Sequence, residues 1–207
     1  WIDELWKEGS GDNQFSGSYL SYPDQKYFSQ YLSSFASLFL VYSNQNHSPF
    51  EMLDYFYARQ EESGAIRGEY SIEDDKPVLT EENPEGFSPP LFAYVEYIFY
   101  HKVGNKKRLR EVVPILERYF AWLEETSLQE NGLYHVPTEA CQTGNIPRIE
   151  TFFPVDFNSQ LALSALYMSA IGDILNDKEI SFRYKRLYFS LKTRINAHMS
   201  VEQRRKI

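Results

Sequence analysis

The chain has 207 residues, of which 43% are hydrophobic and 16% aromatic, enough apolar material for one packed domain with a sizeable core. Its formal net charge of −8 argues against a nucleic-acid partner, because binding a phosphate backbone requires a basic surface. No apolar run approaches the roughly 18 residues of a membrane span, and the single cysteine, Cys141, excludes an internal disulfide and cannot form a zinc site unaided.

The N-terminal part of the chain predicts two helices. The first runs from about Gln25 to Ser43, where large apolar residues recur at helical spacing. The second runs from Pro49 to about Gln60, with Ser48 as its N-cap and the proline at its first helical position.

A long acidic, proline-containing loop follows over residues 61–87. A loop of about 25 residues inside a compact domain is more than a connector, so we predict that it has a function. Ser88-Pro89-Pro90 then opens a third helix, which carries an apolar stripe and ends near Gly104.

Three more helices complete the chain. The fourth, Lys106 to Thr126, contains Pro114, which lies near a helix start or kinks the helix by removing one backbone donor. The fifth runs from Val155 to Leu175 and the sixth from Glu179 to Met199. Strands are hard to find, and six helices in consecutive pairs predict an all-α fold built from αα-hairpins.

A sequence signature occupies residues 138–160. From Thr138 to Arg148 the chain reads Thr-Glu-Ala-Cys-Gln-Thr-Gly-Asn-Ile-Pro-Arg, and an Asp-led helix follows. This resembles the loop Ser-Gly-x-Asp-Asn-x-Pro-Arg of the trehalase-like glycoside hydrolases, six-hairpin glycosidases that include trehalases, family 63 α-glucosidases and mannosylglycerate hydrolases. Asn145, Pro147 and Arg148 match that loop, whereas Gly144 stands where those enzymes carry their general acid.

Five segments, the last of them the Asp-led helix start already mentioned, resemble elements of the same enzymes and occur in the same order along the chain. They are Tyr22-Pro23-Asp24 at the pocket mouth, Gln60 with residues 64–69, Ser88-Pro89-Pro90 with Tyr94 and Glu96, Asn131-Gly132-Leu133, and residues 156–160.

The resemblance implies an (α/α)6 toroid, in which inner and outer helices alternate and a sugar binds in the funnel formed by the connecting loops. Such a toroid needs about twelve helices. We therefore expect residues 1–207 to form a single incomplete domain, about half of the toroid, in which residues 61–87 and 128–153 are pocket loops.

An incomplete ring exposes apolar helix faces, so we expect the missing C-terminal half or a second copy to cover them. The chain begins at Trp1 without Met or a leader-like segment, which predicts a processed, engineered or truncated N-terminus. The sequence indicates no compartment.

The expected chemistry requires two carboxyl groups, because an inverting glycosidase uses an acid and a base roughly 6.5–9.5 Å apart. The resemblance places the acid at Gly144 and the base beyond Ile207. Glu139 is the candidate catalytic acid if the loop bulges, and its alternative is a solvated loop carboxylate. Glu150 is a weaker candidate, and Asp156 is expected to cap the helix that it begins.

The resemblance also implies a set of substrate-binding residues, whose carboxylate, amide and guanidinium groups suit sugar hydroxyls. Asp24 has an alternative as a helix cap, and Arg67 with Glu69 as an exposed ion pair. Glu96 lies on an apolar helix face, needs a partner if it is buried, and could serve a site or the core. The implied binding residues are Asp24, Gln60, Arg67, Glu69, Asn145 and Arg148.

Three functions are compatible with these residues. The first is a glycoside hydrolase, inverting, that acts on a small α-glucoside or a related sugar. The second is a catalytically silent sugar-binding relative, and the third is a helical interaction scaffold. The predicted ligand is a small carbohydrate, and no cofactor or metal is predicted, because the four histidines are scattered along the chain.

Overall fold

The structure is a computed structural model, and it describes residues 2–9, 17–20, 22, 24–42, 47–141 and 154–199. Helices dominate these residues, which confirms the predicted all-α class. The helices are α1 (Ile2–Leu5), α2 (Gln30–Leu40), α3 (Glu51–Ala58), α4 (Phe92–Val103), α5 (Lys106–Ser127), a 3-10 helix (Thr138–Cys141), α6 (Val155–Leu175) and α7 (Lys178–Met199).

Short antiparallel strand pairs accompany the helices, although the sequence pattern did not indicate them. β1 (Trp6–Lys7) pairs with β2 (Tyr19–Leu20), and β3 (Tyr27–Ser29) pairs with β4 (Glu69–Ser71). Strands of two or three residues are too short to show an alternating pattern. The β3–β4 pairing nevertheless changes the fold from the one predicted, because β3 occupies residues that the sequence pattern assigns to the start of a helix.

The predicted start of the first helix, Gln25, is therefore wrong, and α2 begins at Gln30. Tyr27 and Ser29 lie opposite Ser71 and Glu69 in the β3–β4 ladder, and the Gln30 backbone N–H donates to the Gly68 carbonyl at 2.8 Å. These partners lie about forty residues away in sequence, so no local pattern could have indicated them.

The later helices agree closely with the sequence. α4 ends at a left-handed Gly104 cap with φ 74°, and α6 has the predicted bounds. α5 continues through Pro114 rather than starting there. Pro114 and Arg110 are both exposed, so water can satisfy the carbonyl that the proline leaves without a donor.

Three successive αα-hairpins make up the fold: α2 with α3, α4 with α5, and α6 with α7. The first helices of the hairpins, α2, α4 and α6, contact one another in that order, and we call them the inner helices. α4 and α6 run in the same direction, because the Tyr167 ring lies 5.1 and 4.9 Å from the rings of Tyr94 and Tyr97, and Ser164 donates to the Pro90 carbonyl.

Aromatic side chains form much of the core, which accounts for their abundance in the sequence. The Phe56 ring stacks on Phe28 at 5.0 Å and lies 6.1 Å from Phe92, which in turn lies 5.9 Å from Tyr119. The contacts continue through Trp122 and Phe87 to Phe157 at the start of α6. Most of these rings therefore pack the hairpins together instead of lining a pocket.

Exposed apolar side chains lie on the first and last hairpins and at a few other positions, among them Val103 at the end of α4. On α2 they recur at helical spacing, with Phe35 47% and Phe39 49% exposed. Val155, Leu163 and Leu166 of α6 and Phe182 and Phe189 of α7 are also exposed. None of the helices in the described ranges is long and apolar enough to cross a membrane.

Candidate functional site

The starts of α2 and α4 lie together and are joined by buried hydrogen bonds. The Gln30 side-chain amide lies 3.4 Å from the Tyr119 hydroxyl, which lies 3.5 Å from the Ser88 carbonyl. Burial raises the pKa of Tyr119, so its hydroxyl stays protonated and able to donate. Gly68 packs so closely here that a Cβ atom would lie 2.8 Å from the Ser88 Cβ.

Buried polar atoms without a hydrogen-bond partner among the described residues collect near the starts of the inner helices. They are Ser29 Oγ and Gln30 Oε1 at α2, Ser88 Oγ before α4, and Gln160 Oε1 in the second turn of α6. A fifth such atom, Ser37 Oγ, lies within α2. Native proteins pair nearly all such groups, so atoms of this kind call for a ligand or water. Neutral hydroxyl and amide groups match the hydroxyls of a sugar.

Arg67 is held by two carboxylates in the loop of residues 61–87. Its guanidinium lies 2.6 Å from Glu61 and 3.2 Å from Glu85, and only 13% of its side chain is exposed. The hydrogen bond from Arg67 lowers the pKa of Glu61, and the same bond raises the pKa of Arg67. The predicted partner of Arg67, Glu69, is therefore wrong, because Arg67 forms its ion pairs with Glu61 and Glu85.

Gln60 joins the end of α3 to α5 by its side-chain amide. Its Nε2 donates to the carbonyls of Gly64 at 3.0 Å and Ile115 at 2.8 Å, and Arg118 donates to its Oε1. Every polar atom of the amide thus contacts protein, which gives Gln60 a role in the shape of the loop.

The other carboxylates that we had singled out lie in different surroundings. Asp24 is exposed, has φ 61° and precedes α2 by six residues, so the helix-cap alternative is wrong. Glu69 lies on β4 opposite Ser29. Glu139 is an exposed residue of the 3-10 helix. Asp156 is the second residue of α6, whose N-cap is Pro154, so the predicted cap position is wrong, although its carboxylate accepts the Phe157 backbone N–H at 3.0 Å.

Several predicted residues lie outside the described ranges. They are Gly144, Asn145, Arg148 and Glu150.

Asn158, which the sequence did not single out, ties the loop of residues 128–141 to α6. Its Oδ1 accepts the Tyr134 N–H at 2.8 Å, and its Nδ2 donates to the carbonyls of Tyr134 and Pro154, both at 2.9 Å. The residue is completely buried. Asn158 thereby positions the 3-10 helix that carries Glu139, and only its place in the Asp-led helix could have drawn attention to it.

Replacing Asn158 with alanine is expected to lower the free energy of unfolding by about 2–3 kcal/mol, because both polar backbone groups of buried Tyr134 lose their partner. Urea unfolding followed by circular dichroism measures the loss. Asn105→Ala is the matched control, since it removes one exposed cap bond to the Arg108 N–H and should cost about 1 kcal/mol. Equal losses in the two variants would contradict the assigned role of Asn158.

Glu96, for which we had left two roles open, is completely buried at the contact of α3, α4 and α5. It accepts hydrogen bonds from Arg108 at 2.7 and 2.8 Å and from the Tyr57 hydroxyl at 3.0 Å. Arg108 also lies 2.9 Å from Asp54. Burial raises the pKa of Glu96, and the bonds from Arg108 oppose that rise. These contacts assign Glu96 to the core.

The chain was compared with known protein sequences and with solved structures, and each comparison found similar proteins. No protein-family model matches the sequence. An uncharacterised protein of Borreliella burgdorferi is 45% identical over 177 residues, which are 86% of this chain and 37% of that protein. The chain thus spans little more than a third of the length of the curated relative that it matches.

Solved structures from Thermus thermophilus have the same fold. The family 63 mannosylglycerate hydrolase superposes with a TM-score of 0.64 in its complex with Tris and D-glycerate (13% identity, 86% of this chain, 60% of that one) and in its complex with glucose (15%, 92%, 63%). An uncharacterised conserved protein superposes with a TM-score of 0.67 (14%, 92%, 60%). The chain therefore has the αα-hairpin architecture of the six-hairpin glycosidases, and it covers part of that architecture.

Proposed function

We propose that this chain supplies the N-terminal, sugar-binding part of a glycoside hydrolase that acts with inversion on a small α-glucoside or a related sugar. The observation that carries the proposal is the set of unpartnered, buried hydroxyl and amide oxygens among the described residues at the starts of α2, α4 and α6. They belong to the first turns of three helices, or to the residues just before them, and α4 contacts both α2 and α6. Sugar hydroxyls both donate to and accept from such groups.

The likeness to glycosidases supports the choice of ligand. The mannosylglycerate hydrolase of Thermus thermophilus is described with glucose and with D-glycerate, so that fold accommodates a small sugar and a small polyol acid. Trehalase-like and family 63-type substrates, in which a glucosyl unit is linked to a small group, are accordingly the ones to test first.

The proposed residues divide into two groups by the role that we propose for each. Gln60 and Arg67 act by holding the loop of residues 61–87, because their polar atoms are already bonded to protein groups. Asp24, Glu69, Asn145 and Arg148 are proposed to contact the sugar directly.

Glu139 is proposed as the general acid, and the base is proposed to lie on a segment that completes the ring. Loss of a positioned acid lowers the rate by about 10²–10⁴-fold. We therefore expect Glu139→Gln to lower the rate of hydrolysis at least a hundredfold, as measured by NMR detection of the released monosaccharide and its anomer. Glu130→Gln, which alters another exposed carboxylate of the same loop, is the control and should leave the rate unchanged.

Each outcome of that assay selects one function. Release of a monosaccharide that depends on Glu139 supports the hydrolase. Sugar binding without release, when the segment that supplies the base is also present, supports the catalytically silent relative, which the glycine at position 144 favours. If the protein neither binds a sugar nor releases one, the helical interaction scaffold is the function that remains.

The exposed apolar faces of α2, α6 and α7 are proposed to pack against further hairpins, on a C-terminal half or on a second copy of the chain. The assay is therefore run on the chain alone and on the chain mixed with the region of the Borreliella burgdorferi relative that lies beyond the aligned residues.

A further inference from the structure

The first and the last of the inner helices, α2 and α6, each expose a stripe of apolar side chains. Residues three or four positions apart share one face of a helix, and the exposed residues have this spacing. α2 contains no charged residue, and α6 carries its two, Asp156 and Asp173, near its ends. The stripes consist of Leu32, Phe35 and Phe39 on α2, 45–49% exposed, and Val155, Leu163 and Leu166 on α6, 37–44% exposed.

The second helices of the hairpins, α3, α5 and α7, also contact one another, and we call them the outer helices. Asp54 of α3 lies 2.9 Å from Arg108 of α5, and Glu117 of α5 forms an ion pair with Arg183 of α7. Neighbouring hairpins of this chain therefore contact each other through the inner helices and through ion pairs between the outer ones.

The last outer helix, α7, is strongly basic. It holds six of the chain's 21 basic residues and one of its 29 acidic residues. Lys185 and Lys192 are exposed and share a face with Phe182 and Phe189, which are 71% and 52% exposed. Arg183, two residues from Lys185, points to a different side, where it meets α5. A face with phenylalanine and lysine thus remains on the side of α7 away from that ion pair.

The first outer helix, α3, has the opposite charge. Its charged residues are Glu51 and Asp54, both exposed, and it contains no basic residue. The first and last hairpins therefore each combine an uncharged inner stripe with an outer helix of opposite sign. The first hairpin of one chain complements the last hairpin of an identical chain, whereas two identical ends would bring like charges together.

We propose that two copies of this chain close a ring of six hairpins, in which α2 and α3 of each copy pack against α6 and α7 of the other. Two-fold symmetry then makes the two contacts identical and covers both ends of each chain. One copy supplies only three inner helices, so the funnel between them is complete only in the dimer. The number of hairpins in the ring rests on the proposed function, whereas the pairing of the two ends rests on the stripes and the charges.

The mass of the chain in solution tests the proposal, and light scattering after size-exclusion chromatography measures it. We expect twice the 24.4 kDa of one chain. Phe35→Glu and Leu163→Glu each place a charge in one stripe and should give monomers. Val103→Glu is the control, because Val103 is 54% exposed but belongs to the middle hairpin, and it should leave the dimer intact. Circular dichroism establishes that each variant is folded.

Mixing the two glutamate variants tests which ends meet. In a mixed dimer both substitutions fall in one contact, and the other contact has the original Leu163 and Phe35. The mixture should therefore form dimers that neither variant forms alone. A dimer that joined two α2 faces would be broken by Phe35→Glu, untouched by Leu163→Glu, and not restored by mixing.

Charge reversal tests the contact between the outer helices. Lys185→Glu combined with Lys192→Glu should weaken the dimer about tenfold at low salt, and adding Glu51→Lys to that variant should recover part of the loss. Lys107→Glu, which reverses a lysine of the middle hairpin that is 84% exposed, should leave the affinity unchanged. Sedimentation equilibrium gives the dissociation constants.

The outcomes separate this proposal from the proposed function. A chain that stays monomeric, equal masses for Phe35→Glu and Val103→Glu, or a mass that keeps rising with concentration, as in an open array of copies, would each overturn the closed dimer. Glucosidase activity in the presence of the C-terminal region of the Borreliella burgdorferi relative would survive all three. A dimer that follows the expected pattern supports the ring even if no glycoside is hydrolysed.

Discussion

Replacing Glu96 with methionine is expected to lower the free energy of unfolding by about 3–5 kcal/mol, because it leaves the charge of buried Arg108 without its main partner. The Arg108 side chain is only 12% exposed and donates two hydrogen bonds to Glu96. Asp54, which is 52% exposed, retains one contact with it and places the expected loss in the lower part of that range. Urea unfolding followed by circular dichroism gives the value.

The pair can be separated from the packing around it by a second substitution. Exchange of both Glu96 and Arg108 for methionine removes the charges together, so the loss should be much smaller than in Glu96→Met alone. Glu111→Met is the control on the same helix, since its pair with Lys107 is exposed and its removal should change stability too little to measure. A double variant as unstable as the single one would contradict the assignment of Glu96 to a buried ion pair.

Replacing Gly64 with alanine is expected to cost about 3 kcal/mol or more, for two reasons that add. Gly64 has φ 92°, a left-handed conformation that costs other residues about 1–2 kcal/mol. An added Cβ would also lie 2.4 Å from the Arg118 carbonyl oxygen, so α5 or the loop must shift. Because Gln60 bonds to the Gly64 and Ile115 carbonyls, that shift would also disturb the bridge between α3 and α5.

Gly104→Ala separates the two contributions. Gly104 has φ 74°, and an added Cβ there meets no atom within 4 Å, so only the conformational cost of about 1 kcal/mol should remain. The difference between the two alanine variants in urea unfolding therefore measures the close approach at Arg118. Equal losses would mean that α5 does not pack against Gly64 as described.

The sequence predicted some elements well because their signals are local. A glycine after the last apolar residue ended α4, and helical periodicity with few interruptions bounded α5, α6 and α7 to within one residue at each end. The start of α2 was mispredicted because Tyr27–Ser29 pair with Glu69–Ser71, and this long-range pairing overrides the helical pattern of the segment.

In the candidate site too, local sequence signals indicated some residues, whereas their partners depend on contacts between distant parts of the chain. The sequence indicated Arg67 and Gln60 by resemblance, but their partners, Glu61, Glu85 and the backbone of α5, depend on how the loop of residues 61–87 folds back. Ser29 carried no signal of its own, and Ser88 was indicated only as part of the Ser88-Pro89-Pro90 segment. They matter because burial leaves their hydroxyls without partners among the described residues, near the starts of α2 and α4.

The sequence by itself determined the helical class, the order of the three hairpins and most helix ends, since periodicity, capping and turn residues act over a few neighbouring positions. Only the tertiary structure decided which carboxylates are ion-paired and which buried polar atoms lack a partner among the described residues. Those properties depend on burial and on partners distant in the chain, and the spacing of nearby residues predicts neither of them.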